Sequence, residues 1–132
     1  MSALERPVTK RRPVYLNLVR IRLPLPGIVS ILHRVSGAAL FLVGLPLLLF
    51  GVQRSLASRE TFDGFLAAFS NPLAKIVLIG LIWAYLHHFC AGIRFLLLDI
   101  HQGIELKPAR RSSIVVLVAS LALTLIVGVR LW

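Results

Sequence analysis

Three stretches of this chain carry no formal charge for about as long as a helix needs to cross a bilayer: 19 residues between Arg34 and Arg54, 18 between Lys75 and Arg94, and 18 between Arg111 and Arg130. At about 1.5 Å per helical residue, each approaches the roughly 20 apolar residues that span a hydrocarbon core. Leu, Ile, Val, Ala and Phe fill them all round the helix, as in Leu40 to Phe50 and Ile114 to Val127, without the polar stripe of a soluble amphipathic helix. The sequence therefore predicts an all-α membrane protein with three transmembrane helices.

Punctuation residues set the expected limits. Pro24 and Pro26 cannot continue a helix from upstream but suit a first turn, so a segment 1–26 precedes helix I, expected over about 27–53. Asn71-Pro72 reads as a cap followed by a first turn and opens helix II, about 72–98. A loop over 99–111 leads to helix III, about 112–132, starting near Ser112 or Ser113. In the connection 54–71, Phe62, Phe65, Leu66 and Phe69 recur at i, i+3, i+4 and i+7, which predicts a short amphipathic helix at the outer interface. The whole is one membrane-anchor domain, 1–132.

A formal net charge of +10 in a soluble protein would suggest nucleic acid. A mean hydropathy of +0.86 leaves no soluble basic surface beyond a short tail, so that reading is set aside. The charge reads as topology instead. Arg6, Lys10, Arg11, Arg12, Arg20 and Arg22 precede helix I, and Lys107, Arg110 and Arg111 precede helix III; the first connection has only Arg54 and Arg59, offset by Glu60 and Asp63. The positive-inside rule then places the N-terminus and the second loop in the cytoplasm, beside anionic lipid, and the C-terminus in the periplasm. The N-terminal segment lacks a cleavable signal pattern and is expected to be retained. The single cysteine, Cys90, falls within helix II, which excludes an internal disulfide and a cysteine-based metal cluster; it reads as packing.

Polar groups inside the spans are costly and point to function. Ser30, His33, Arg34 and Gly37 are spaced i, i+3, i+4 and i+7 at the head of helix I, presenting a hydroxyl, an imidazole, a guanidinium and a gap. Snorkelling to the headgroups explains Arg34 alone, but not Ser30 and His33 beside it. A site for an anionic or carbonyl-bearing ligand explains all of them.

Helix II contributes Tyr85, His87, His88, Gly92 and Arg94. His88 has Ala84 and Tyr85 on one side and Gly92 on the other, and the small Ala84 and Gly92 let a flat group such as a haem approach the backbone. A helix–helix hydrogen bond accounts for one intramembrane histidine equally well. His87 competes with His88 as a ligand, although adjacent helical residues point about 100° apart and cannot bind one iron from the same side. Met1 is the only methionine, so an intrachain His/Met pair is excluded. Counted from the helix ends, His33 lies about 9 Å deep and His88 about 16 Å from Asp99. Different depths are therefore expected, with any second axial ligand coming from another subunit and the propionates of an edge-on haem reaching toward His33 and Arg34.

Taken in order, Arg12-Pro13-Val14-Tyr15-Leu16-Asn17-Leu18, Ser30-Ile31-Leu32-His33-Arg34-Val35-Ser36-Gly37, and His88-Phe89-Cys90-Ala91-Gly92-Ile93-Arg94 followed by Asp99 closely resemble the cytochrome b556 membrane-anchor subunits of bacterial succinate dehydrogenase. The resemblance covers nearly the whole chain and agrees with its length and three-helix layout. It implies a complex in the bacterial inner (cytoplasmic) membrane: a flavoprotein holding FAD, an iron–sulfur protein holding the clusters, this anchor and a second hydrophobic anchor. It further implies a haem b shared with that second anchor, with His88 as one axial ligand and His33 and Arg34 near the propionates. Ser30, Ile31 and Arg34 would line a ubiquinone site, with Asp99 near its cytoplasmic mouth. Some relatives carry a further histidine where this chain has Phe95, which leaves His87 as the rival to His88. Members of the family differ in haem content, so the haem is a weaker inheritance than the fold.

Alternatives follow from the same residues. A fumarate reductase anchor would use these parts with menaquinone. A haem-free anchor, or a subunit of a small transporter, would use Arg34 and His88 as ion or proton relays.

Overall fold

The computed structural model describes residues 21–131, so the basic run from Arg6 to Arg20 and the Arg12 to Leu18 motif lie outside the described residues. The described chain is all-α: α1 (Leu25–Ala39), a π-helical turn (Leu40–Gly44), α2 (Leu45–Ala57), α3 (Arg59–Ala68), α4 (Pro72–Asp99) and α5 (Leu106–Leu131). Among the described residues three helices are long and apolar enough to cross a membrane: Leu25–Ala57, which joins α1 to α2, then α4 and α5.

Local chemistry accounts for each boundary. Pro24 occupies the N-cap of α1 in an extended conformation and its carbonyl accepts from Gly27 at 2.8 Å, while Pro26 sits in the first turn, where no N–H is needed. The π turn precedes Pro46, whose ring would crowd the carbonyl four residues back. A single widened turn, with the Leu45 N–H donating to Leu40 O, resets the ladder without ending the span. The first span, expected to end near Gln53, continues to Ala57 because nothing before Ser58 breaks it.

Ser58 then turns the chain. Its hydroxyl accepts from Thr61 N at 3.1 Å and its own N–H donates to Thr61 Oγ1 at 3.0 Å, a reciprocal cap that starts α3. α3 folds back on α2 through Phe65. A Cβ on Gly51 would stand 3.0 Å from Phe65 Cζ, so the glycine lets the ring lie on the backbone. Phe65 and Phe69 meet edge to face at 4.9 Å, and the predicted amphipathic spacing thus falls on a real helix.

Asn71 caps α4 by accepting from Leu73 N at 2.8 Å. α4 ends where His101 adopts φ 63°. The bonds from His101 N to Leu98 O and from Gln102 N to Leu97 O, both 2.9 Å, satisfy the last carbonyls in the pattern usually built on glycine. α5 begins at Leu106, six residues before the expected Ser112, because Pro108 falls within its first turn, where proline is tolerated. Lys107, Arg110 and Arg111 are accordingly helical rather than loop residues.

α4 packs against both α1 and α5, and α1 also meets α5. The buried faces are narrow and made of small or polar groups: Val29 and Ser36 on α1; Ala84, His87, Ala91 and Arg94 on α4; Ser113, Val116, Ser120 and Thr124 on α5. Small residues let the backbones approach closely. The buried hydroxyls are satisfied within their own helix: Ser113 donates to Ala109 O at 2.7 Å, Ser120 to Leu117 O at 3.1 Å and Thr124 to Ser120 O at 2.7 Å. Large apolar side chains such as Phe41, Leu48 and Leu125 point outward, a surface that suits lipid or protein contact rather than water.

Candidate functional site

His33 and Ser36 of α1 meet His88 of α4 where the two helices pack. The His33 and His88 rings stack with centroids 4.1 Å apart and planes 10° from parallel. The depth difference expected from counting residues is therefore absent. α4 and α1 do not end at a common level, so distance from each terminus does not measure a shared depth.

His88 is held at Nδ1. That nitrogen lies 3.0 Å from the main-chain carbonyl oxygen of His33. A carbonyl can only accept, so Nδ1 is the donor here, and in the neutral ring Nε2 is the nitrogen with the lone pair. Among the described residues Nε2 makes no hydrogen bond. Gly37 makes this approach possible: a Cβ there would stand 2.8 Å from His88 Cε1, closer than real contacts allow. Ser36, 3 % exposed, adds its hydroxyl to the same group, donating to His33 O at 3.0 Å and lying 3.4 Å from His88 Nδ1. Phe95 flanks the His33 ring at 5.0 Å, and Gly92 leaves ordinary contact room for His33 Nε2.

His87 sits on a different face. It is wholly buried and stacked on Trp83 at 5.3 Å; its ring nitrogens make no well-formed hydrogen bond among the described residues, and the Val29 main chain is the polar group near enough to act on the ring. Arg94 is also buried; its Nε donates to Ser112 Oγ at 3.0 Å and its Nη2 to Ala109 O at 3.5 Å, tying α4 to the first turns of α5. No cluster of three or more His, Cys, Asp or Glu side chains capable of holding a bare metal ion occurs among the described residues. A haem, which supplies four ligands itself, needs only an axial imidazole from this chain.

The stripe read from the sequence divides in the structure. His33 and Gly37 turn toward α4, while Arg34 and Ile31 are exposed and Ser30 is half-buried. Tyr85 is exposed and lines one end of an apolar groove of about 1370 Å³ between α2, α3 and α4, apart from His33, Arg34 and His88. Asp99, the last residue of α4, is exposed. The sequence marks Gly37 as a gap but does not show that His88 fills it, nor that Ser36 joins the group. The available signal was their helical spacing from His33, at i+3 and i+4.

The residues present fit an axial haem ligand at His88 and disfavour one at His87. His88 combines a fixed Nδ1–H, an uncommitted Nε2 and a glycine cradle, whereas His87 has no route to a group outside the helix packing.

A family model described as succinate dehydrogenase/fumarate reductase transmembrane subunit matches residues 8–127. Among similar proteins, the succinate dehydrogenase cytochrome b556 subunit of Coxiella burnetii is 34% identical over 123 residues, 92% of this chain and 98% of that protein. The cytochrome b556 subunit of Paracoccus denitrificans is 32% identical, covering 87% of this chain and 88% of its own. The succinate dehydrogenase 2 membrane subunit of Mycobacterium tuberculosis is 29% identical over 81% of each.

Proposed function

This chain belongs to the succinate dehydrogenase/fumarate reductase transmembrane-subunit family, and from that premise we propose that His88 is an axial ligand to haem b and that Ser30, Ile31 and Arg34 form part of a ubiquinone-reduction site. At the coarser level it is a multi-pass membrane subunit of bacterial succinate dehydrogenase, cytochrome b556 type. The observation that carries the finer reading is the Nδ1 bond of His88 to His33 O, which leaves Nε2 as the open nitrogen.

A haem bound here would supply a one-electron store beside the quinone site. His88 would hold it and, because the stacked His33 ring and the His33 carbonyl fix its imidazole, would do so with little reorganisation. Arg34, exposed on α1, offers a guanidinium to carboxylates such as propionates, and His33 lies one residue from it. The second axial ligand belongs to a second hydrophobic anchor in this reading, with the iron–sulfur and flavoprotein subunits docking at the cytoplasmic side.

At the quinone, this chain's part is recognition and charge stabilisation. The Ser30 hydroxyl can donate a hydrogen bond to a quinone carbonyl oxygen, and Arg34 can stabilise negative charge as that oxygen is reduced. Protons then reach both oxygens from the aqueous face. The positive-inside distribution supports a cytoplasmic position for the α1 head and the α4–α5 connection, and a periplasmic one for α3.

Isolating the intact complex through this chain and adding succinate tests the reading. A reduced b-type absorption band is expected. Flavin bleaching with a flat haem region would leave only a haem-free anchor, and no response would remove the chain from a working dehydrogenase.

A further inference from the structure

We propose that Ser36 sets the redox potential of the haem by competing with His88 for one acceptor, the main-chain carbonyl of His33; this rests on the reading of His88 as the axial ligand. The His33 carbonyl is crowded. As part of α1 it faces the Gly37 N–H one turn on, and it also receives the Ser36 hydroxyl at 3.0 Å and His88 Nδ1–H at 3.0 Å. A carbonyl oxygen has two lone pairs, so these donors share it.

The sharing has a direction. The more strongly Nδ1–H is accepted, the more electron-rich the imidazole becomes at Nε2, and an electron-rich ligand favours ferric over ferrous iron. The Ser36 hydroxyl, by occupying the same oxygen, weakens acceptance from His88 and holds the potential up. Ser36 Oγ also accepts the His88 Nδ1–H at 3.4 Å, a longer and weaker bond than the 3.0 Å bond to the carbonyl, so its action through the shared carbonyl outweighs its own acceptance; buried between α1 and its neighbours, it is a positioning and tuning residue rather than a catalytic one. Gly37 serves the same device, because any Cβ there would push the imidazole off the carbonyl.

Ser36→Thr and Ser36→Val have nearly the same shape and differ by the hydroxyl alone. Potentiometric titration of the haem band in the purified complex is expected to leave Ser36→Thr near the parent potential and to shift Ser36→Val downward. Low-temperature electron paramagnetic resonance of the ferric haem should move in the Val variant and stay in the Thr variant. Ser36→Ala, which adds no atoms to a buried site, should follow Val. Equal potentials in the Thr and Val variants, or a higher potential in Val, would overturn the proposal. A companion complex with His88→Ala separates the two levels of inference. If its haem band persists, the ligand assignment fails; if the band is lost while Thr and Val titrate alike, the tuning role of Ser36 alone fails.

Discussion

The Nδ1 atom of His88 and the main-chain oxygen of His33 stand 3.0 Å apart across the α1–α4 contact, and this bond assigns the ring's tautomer. It leaves Nε2 as the uncommitted nitrogen of that ring. Everything proposed about the haem begins from that geometry, and the neighbouring glycines make it testable.

Gly37→Ala should disturb the haem, because the added methyl would meet His88 Cε1 at 2.8 Å. Gly92→Ala should not, since the nearest atom there, His33 Nε2, is 3.8 Å from the added Cβ. The expected outcome is a diminished or shifted b band in the first variant and a normal one in the second. Equal spectra would remove the close approach of His88 to α1.

Ser30→Ala and Arg34→Ala should each lower succinate:quinone reductase activity by roughly tenfold or more, equivalent to about 1.4 kcal/mol of transition-state stabilisation. Succinate oxidation by a water-soluble artificial acceptor should be unchanged, because that reaction bypasses the membrane site. Parallel loss of both activities would locate the defect in assembly.

Ser112→Ala should destabilise the complex by about 1.5–3 kcal/mol, because it leaves Arg94 Nε buried without its partner. Thermal unfolding in detergent measures this. An unaltered Tm would mean that the Arg94 guanidinium is satisfied elsewhere.

His87→Leu should leave thermal stability equal or higher. An unpartnered buried polar group costs about 1–3 kcal/mol, against roughly 0.5–1.5 kcal/mol for the lost stack on Trp83. A fall of more than about 2 kcal/mol would show that the Val29 main chain is an effective hydrogen-bond partner for that imidazole.

The spans were legible because a bilayer tolerates so few charges: the intervals bounded by Arg34, Arg54, Lys75, Arg94, Arg111 and Arg130 could hardly be read otherwise. α3 was legible from the spacing of Phe62, Phe65 and Leu66, and the start of α4 from Asn71-Pro72. The meeting of His33 with His88 was not, since helix offset is a tertiary property that residue counting ignores. Nor was the π turn before Pro46, although a proline inside an apolar run was the signal. His87 and His88 are chemically identical in sequence. Only the packing of three helices shows that one is sealed inside and the other keeps a free nitrogen.

The central claim is tested most directly by absorption spectra of dithionite-reduced complexes carrying His88→Ala and His87→Leu, measured side by side at matched flavin content. The account predicts that the b band is lost or strongly altered with His88→Ala and retained with His87→Leu. A band retained with His88→Ala but lost with His87→Leu would contradict it.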